Sequence, residues 1–129
     1  RSGLAYRADL ITEELPSRLT LAQSLAARRL DPDGWRAVGR CVGTLHSHGV
    51  RHADLNAHNL LLGAAGAVYV LDFDRGRIEP RGHWEQRVIE RLHRSLEKVS
   101  RDLPAGRFDD AQWDEFLQGV AACAPSTSC

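Results

Sequence analysis

The chain has 129 residues, of which 43% are hydrophobic and 26% are charged. Such a length and composition are typical of one soluble globular domain, or of a large part of one. Basic and acidic residues number 17 each, so the charge balance gives no reason to expect a nucleic-acid partner. The sequence contains no run of about 18 apolar residues, which excludes a membrane-spanning helix.

The chain opens on polar residues without a visible signal peptide. It contains no methionine, which predicts that the sequence is not a complete reading frame. Its three cysteines are too few and too scattered for a disulfide framework or a zinc site. They are therefore expected to be free thiols in a reducing compartment.

The first predicted elements are one or two short strands followed by two helices. Residues 4–12 alternate loosely and lead into a connector that ends at Pro16. Residues 19–30 are rich in alanine and leucine, which predicts a helix. Asp33 is expected to cap a second helix, and Gly49 is expected to end it as its C′ residue. The apolar face of this second helix consists of Trp35, Val38, Val42 and Leu45.

Later segments predict a hairpin and two more helices. Gly39 and Gly43 lie four residues apart on the second helix. This spacing favours close packing of the helix against a neighbouring element. The apolar segments 60–62 and 68–73 flank a glycine-containing turn, which predicts a hairpin. A helix begins near Trp84, and its apolar stripe consists of Val88, Leu92, Leu96 and Val99. A last helix is predicted over residues 110–120, with Trp113, Phe116 and Leu117 facing inward, before a fraying tail at 124–129.

The polar loop between the second helix and the hairpin carries the chemistry. It reads His-Ala-Asp-Leu-Asn-Ala-His-Asn over residues 52–59, and Asp-Phe-Asp follows the hairpin at 72–74. Phosphoryl transfer from Mg-ATP needs a carboxylate near the attacking hydroxyl and oxygen ligands for Mg²⁺. Asp54 is suited to orient and deprotonate the hydroxyl, while Asn59 and Asp72 are suited to hold the metal.

These residues resemble the HxDLxxxN catalytic loop and the metal-binding aspartate of the protein-kinase-like fold. The resemblance implies an α+β structure, namely the mostly helical C-terminal lobe of that fold with a short catalytic hairpin. Two positions depart from protein kinases: Ala53 replaces the arginine of HRD, and Asp74 replaces the glycine of DFG. No Ala-Pro-Glu segment follows Asp72, so a small-molecule, sugar or lipid acceptor is expected rather than a protein substrate.

Several segments further resemble the 3-deoxy-D-manno-octulosonic acid (Kdo) kinase family of lipopolysaccharide kinases. They are residues 6–12, 52–62, 71–77 and 91–98. The resemblance implies ATP-dependent phosphorylation of a Kdo hydroxyl on a lipid A precursor, at the cytoplasmic face of the Gram-negative inner membrane. It implies Asp54 as the catalytic base and Asn59 and Asp72 as ligands of Mg²⁺. His52 is counted with Asp54 as a catalytic residue. Asp74, Arg75 and Arg77 are hypothesised to order the metal site or to meet an anionic acceptor.

A basic stripe lies beside the apolar stripe on the helix that begins near Trp84. It consists of Arg87, Arg91, Arg94 and Lys98. Such a stripe suits anionic lipid headgroups at a membrane surface. A solvated helix face, partly paired with Glu90 and Glu97, explains it equally well.

The nucleotide-binding half of a kinase is missing from this sequence. It contains no GxGxxG, and its single lysine, Lys98, comes long after Asp72. Residues 1–15 are interpreted as the end of the N-terminal lobe sheet and the hinge, and residues 16–129 as the C-terminal lobe. The hinge residues expected to contact adenine are Glu13, Glu14 and Leu15. The chain alone is therefore expected to bind ATP weakly and to turn over little or nothing.

Two other functions remain open at this point. The first is a small-molecule kinase of the aminoglycoside or choline phosphotransferase type, which uses the same loop. The second is a non-catalytic, kinase-shaped binding module, although such a module would not need Asp54, Asn59 and Asp72.

Overall fold

The computed structural model describes residues 19–52, 54–63, 67–71, 76–78, 80 and 82–122, with the backbone alone at 76 and 77. In this part of the chain the helices are α1 (Leu21–Ala26), α2 (Pro32–Ser47), α3 (Trp84–Arg101) and α4 (Asp110–Ala121). The strands are β1 (Leu19–Thr20), β2 (Val50–His52), β3 (Leu60–Leu62), β4 (Val68–Val70) and β5 (Gly76–Ile78). The predicted α+β class is confirmed. The strands predicted within 4–12, the hinge and the tail at 124–129 lie outside the described residues.

The region predicted as one helix over residues 19–30 contains a strand and a short helix. Leu19 and Thr20 pair with β3 in antiparallel register. Thr20 also caps α1, because its hydroxyl accepts a hydrogen bond from the Gln23 amide while the Gln23 side chain accepts one from the Thr20 amide. Strand pairing therefore overrides the helical propensity of the first two residues, and α1 ends at Ala26.

Helix α2 begins two residues earlier than predicted. Asp31 is the N-cap, and its carboxylate accepts a hydrogen bond of 2.8 Å from the Gly34 amide. Pro32 opens the helix, where its missing N–H leaves no group unpaired. The prediction that Asp33 caps α2 is therefore wrong. The predicted stop is confirmed, because Gly49 follows the C-cap His48 with a φ of 73°.

Replacing Asp31 with alanine is expected to lower the free energy of unfolding by about 1 kcal/mol, because the Gly34 amide loses its acceptor. Asp33→Ala is the matched control. It removes only an exposed ion pair with Arg36, and such pairs contribute about 0.2–1 kcal/mol. Urea unfolding of both variants measures the difference. An equal or larger loss at Asp33 would contradict the cap assigned to Asp31.

The hydrophobic core surrounds α2. The predicted apolar face of α2 is confirmed, since Trp35, Val38, Val42 and Leu45 are all buried. The stripe of α3 packs against the same core. In α4, Phe116 is fully buried, but Leu117 is 37% exposed, so its predicted inward position is wrong. Adjacent helical residues point about 100° apart, so one of the two must leave the core face.

Glycines bring α2 and α4 into close contact. A Cβ atom added at Gly39 would lie 2.0 Å from the Phe116 carbonyl oxygen, and one added at Gly119 would lie 2.2 Å from that of Arg36. The two backbones therefore touch where the helices cross. This confirms the close packing predicted for Gly39 and identifies its partner as Gly119.

The strands form two small antiparallel sheets. One has the order β1-β3-β4, and its β3–β4 hairpin confirms the predicted one. The other pairs β2 with β5 and sets His52 opposite Gly76. This second pairing was not predicted, and it places Gly76 beside His52, the first residue of the polar loop. Among the helices that the structure describes, none has both the length and the apolar composition needed to cross a membrane.

Candidate functional site

The polar loop that follows β2 is anchored to two neighbouring helices, α1 and α3. Leu55 and Ala57 are buried in the core. The Ala57 amide donates to Ser95 Oγ of α3 at 2.9 Å, and the Ala57 carbonyl accepts from the Ala22 amide of α1 at 2.9 Å. Alternate residues of the loop thus face the protein interior, which fixes the position of the polar residues between them.

His52 holds the base of the loop. Its ring is buried, with 1% of the residue exposed. Nδ1 accepts a hydrogen bond of 3.2 Å from the Asp54 amide, and Nε2 lies 3.0 Å from the Leu71 carbonyl oxygen. Because Nδ1 is an acceptor and a carbonyl cannot donate, the hydrogen of the neutral ring must be on Nε2. His52 therefore ties the loop to the residue that precedes Asp72.

Asp54 combines a fixed backbone with an exposed carboxylate. Its amide donates to His52, and its carbonyl accepts from the side-chain amides of Asn56 and Asn59, each at 3.0 Å. Its side chain is 57% exposed, and Oδ1 lies 4.0 Å from Nη1 of Arg91 on α3. The carboxylate is thus presented to solvent from a rigid support, which is the arrangement that a base for an incoming hydroxyl requires.

Asn59 is buried and connects the loop to the hairpin. Its Oδ1 accepts from the Asn56 amide at 2.9 Å, and its backbone carbonyl accepts from the Leu71 amide at 2.8 Å. An amide oxygen has two acceptor sites, so one site on Oδ1 is left for a hard cation such as Mg²⁺. The predicted role of Asn59 as a metal ligand fits this donor set.

The other predicted site residues lie mostly outside the described part of the chain. This applies to Glu13, Glu14, Leu15, Asp72, Asp74 and Arg75. The residues on either side of segment 72–75 are described: Leu71 contacts both His52 and Asn59, and Gly76 pairs with His52. The two described residues that flank the segment, Leu71 and Gly76, therefore both contact the polar loop. Arg77 pairs through its backbone with Arg51, and its predicted role stays a prediction.

The remaining histidines have separate surroundings. His46 is buried and packs edge-on against Trp84, with the ring centroids 5.0 Å apart. His48 Nδ1 lies 2.9 Å from the Thr44 carbonyl, and His58 is exposed. Within the described residues, no group of three or more His, Cys, Asp or Glu side chains is arranged to hold a metal ion. The predicted magnesium site differs in kind, since it pairs Asn59 with Asp72.

The basic stripe of α3 is exposed along its length. The carboxylates expected to pair with it contact other residues: Glu97 lies 3.7 Å from His93, and Glu90 accepts a hydrogen bond from Gln86. In the described part of the chain, the basic stripe forms an ion pair through Arg91, whose partner is Asp54. Its positive charge therefore reaches the edge of the polar loop.

Ser95 supports the polar loop and is a residue that the sequence did not single out. It lies between Arg94 and Leu96 of α3, and only the fold shows that it accepts a hydrogen bond from the Ala57 amide. Ser95→Ala is expected to cost about 1–3 kcal/mol of stability, because a buried amide loses its partner. It should also lower kcat, since the polar loop loses its link to α3.

Thermal unfolding and steady-state kinetics of Ser95→Ala test this expectation. Ser100→Ala is the matched control on the same helix, because its hydroxyl bonds only to the Glu97 carbonyl within one turn. The control should stay within about 0.5 kcal/mol of the parent protein. Equal effects at the two serines would show that Ser95 has no special role in the loop.

Comparison with known proteins gives a consistent result. Residues 1–119 match the model of the lipopolysaccharide kinase (Kdo/WaaP) family. A Xanthomonas axonopodis pv. citri protein named 3-deoxy-D-manno-octulosonic acid kinase is 45% identical over 101 residues, which cover 77% of this chain and 40% of the relative. A Photobacterium profundum protein of the same name is 36% identical over 121 residues, covering 92% and 50%. The chain thus spans half or less of the length of these relatives.

Proposed function

The chain belongs to the lipopolysaccharide kinase (Kdo/WaaP) family, and from this premise we propose that it contains the catalytic loop of an ATP-dependent kinase. The proposed acceptor is a hydroxyl of Kdo on a lipid A precursor. The relatives named above are 3-deoxy-D-manno-octulosonic acid kinases, which supports Kdo as the acceptor. The reaction would be a step in the biosynthesis of the lipopolysaccharide core.

One observation carries the proposal. Three hydrogen bonds to its backbone fix Asp54 while its carboxylate is exposed. Two of the residues that fix it, His52 and Asn59, also contact Leu71, directly before Asp72. A structural aspartate would direct its side chain into a cap or a buried ion pair. The Asp54 carboxylate instead makes a long, exposed contact with Arg91. This supports the role of Asp54 as the base.

The proposed step is an in-line displacement at phosphorus. Asp54 accepts a hydrogen bond from the acceptor hydroxyl and takes its proton as the new oxygen–phosphorus bond forms. The phosphoanhydride bond between the γ-phosphorus and the bridging oxygen breaks, and ADP is the leaving group. His52 acts as a positioning residue, because both its ring nitrogens are engaged with backbone groups.

The cofactors of the proposed reaction are ATP and Mg²⁺, which supply the phosphoryl group and neutralise its developing charge. Asn59 Oδ1 and the carboxylate of Asp72 would hold the metal. The hinge residues Glu13, Glu14 and Leu15 would contact adenine. Because the chain spans half or less of its relatives, we further infer that residues 1–129 alone have little or no activity.

The protein would act at the cytoplasmic face of the inner membrane of a Gram-negative bacterium, as a peripheral protein. The exposed stripe of α3 supports this location, since basic side chains are attracted to anionic lipid surfaces. Its positive charge would also attract the phosphates of a lipid A precursor.

The test is transfer of labelled γ-phosphate from Mg-ATP by the protein made from its complete reading frame. A Kdo-bearing lipid A precursor, an aminoglycoside and choline are each offered as the acceptor in parallel reactions. Label on the Kdo lipid is the expected result. Label on a rival acceptor alone would support kinase activity but refute Kdo as the acceptor. No transfer to any acceptor, by a folded protein that binds Mg-ATP, would indicate a non-catalytic binding module.

A further inference from the structure

The ion pair between Arg91 and Asp54 lies at the exposed edge of the polar loop. Nη1 of Arg91 is 4.0 Å from Oδ1 of Asp54, and the two side chains are 54% and 57% exposed. Exposed ion pairs of this kind contribute little to stability. The contribution of this pair to the fold therefore does not explain why an arginine lies beside the proposed base.

The position of Arg91 is set by the packing of α3. Ser95 lies one helical turn after Arg91, on the same face of the helix. Its hydroxyl accepts the Ala57 amide, so the backbone around Arg91 has a fixed relation to the loop. The guanidinium is thereby held beside the base, with its outer surface open to solvent.

Among the residues that the structure describes, the hydrogen-bonding capacity of Arg91 is largely unused. A guanidinium has five N–H donors in a planar fork. The 4.0 Å contact with Asp54 is longer than a hydrogen bond, which spans about 2.7–3.2 Å. Within the described residues, Asp54 is the only polar partner recorded for Arg91. Both arms of the fork are therefore available to an anionic ligand that approaches Asp54.

The proposed acceptor brings such an anion to this place. Kdo is a sugar acid, so a hydroxyl that reaches Asp54 carries a carboxylate with it. Two carboxylates close together repel each other, and this repulsion would weaken binding of the acceptor. A cation beside Asp54 offsets it, and a guanidinium also matches the geometry of a carboxylate with two parallel hydrogen bonds.

We propose that Arg91 is the acceptor-binding residue that recognises the carboxylate of the sugar acid. This inference rests on the proposed function, because it requires an acidic sugar as the acceptor. Arg91 makes the site specific for an acid over a neutral sugar of the same shape. The rest of the stripe contributes only general attraction for negative charge.

The experiment compares two acceptors on the complete protein and its variants. One acceptor is the Kdo-bearing lipid A precursor, and the other is the same molecule with the Kdo carboxylate converted to a carboxamide. Arg91→Gln should raise KM for the acid about 10- to 100-fold, the loss expected when a charged hydrogen-bonding partner is removed. It should leave KM for the carboxamide nearly unchanged. Arg91→Lys should lie between, because it keeps the charge but lacks the fork.

Arg87→Gln is the matched control, since Arg87 lies one turn earlier on the same exposed stripe. It should change KM less than threefold for both acceptors. If Arg91→Gln still prefers the acid by the same factor as the parent protein, the carboxylate subsite is refuted. Equal losses at Arg87 and Arg91 would also refute it, in favour of general electrostatic attraction. If the parent protein transfers phosphate to neither acceptor, the proposed function fails first, and the subsite fails with it.

Discussion

Asp54→Asn is expected to lower kcat by about 10²- to 10⁴-fold, because asparagine has the size of aspartate but cannot accept the proton of the acceptor hydroxyl. The fold should tolerate the change. The hydrogen bonds of Asp54 run through its backbone, and its carboxylate is 57% exposed. The affinity for Mg-ATP should therefore stay within a few-fold of the parent protein. Single-turnover transfer of labelled phosphate measures the chemical step, and nucleotide titration measures binding separately.

Asp114→Asn is the control for this substitution, since Asp114 is an exposed aspartate on α4. It removes the same charge away from the polar loop and should leave kcat unchanged. The melting temperatures of both variants should match that of the parent protein within a few degrees, as expected for surface changes within about 0.5 kcal/mol. A kcat for Asp54→Asn within threefold of the parent value would exclude Asp54 as the base.

Periodic patterns in the sequence were the most reliable guide to the fold. The apolar faces of α2 and α3, the stop at Gly49 and the β3–β4 hairpin all depend on local regularities, and all are confirmed. The errors occur where a contact distant in sequence decides the outcome. Pairing with β3 makes residues 19–20 a strand. The cap of α2 was misassigned by two residues, because Asp31 and Asp33 both fit the local pattern and only the structure shows which one bonds Gly34.

The candidate site divides in the same way. The candidate residues His52, Asp54 and Asn59 of the polar loop follow from a motif whose spacing is local. The residues that support them come from other elements. Ser95 and Arg91 lie on α3, more than 30 residues later in the chain. No local pattern connects a serine of α3, or one of four similar basic residues, with a particular atom of the loop.

The crossing of α2 and α4 shows why a glycine pair is difficult to predict from sequence. Gly39 and Gly43 share one helix, so their spacing marks a small-residue face without naming its partner. The structure pairs Gly39 with Gly119 on α4. Gly119 has no second glycine four residues away, so the spacing that marks α2 is missing from α4. Phe116 is fully buried and lies one turn before Gly119. Its carbonyl oxygen is the atom that a Cβ at Gly39 would meet first.

Gly39→Ala is expected to lower the free energy of unfolding by about 2 kcal/mol or more. The added methyl group would lie 2.0 Å from the Phe116 carbonyl oxygen, so two helix backbones must separate. Because the contacting atom is backbone and cannot move aside like a flexible side chain, the cost should lie at or above the upper end of the usual range for overpacking, about 1–3 kcal/mol. The better helix propensity of alanine returns about 1 kcal/mol. Gly82→Ala is the control, because its Cβ would meet only Trp84 Cδ1, at 3.8 Å. Urea unfolding with coincident spectroscopic probes measures both.

The double variant Gly39→Ala with Gly119→Ala tests whether the crossing of α2 and α4 causes the loss of stability in both single variants. Each methyl group alone forces α2 and α4 apart, since the group at Gly119 would lie 2.2 Å from the Arg36 carbonyl oxygen. Once the helices have separated for the first methyl group, the second requires little further movement. The double variant should therefore lose clearly less stability than the sum of the two single losses, as expected for substitutions that share a contact. Losses that add within about 0.5 kcal/mol would mean that the two glycines act independently, and the shared crossing would be refuted.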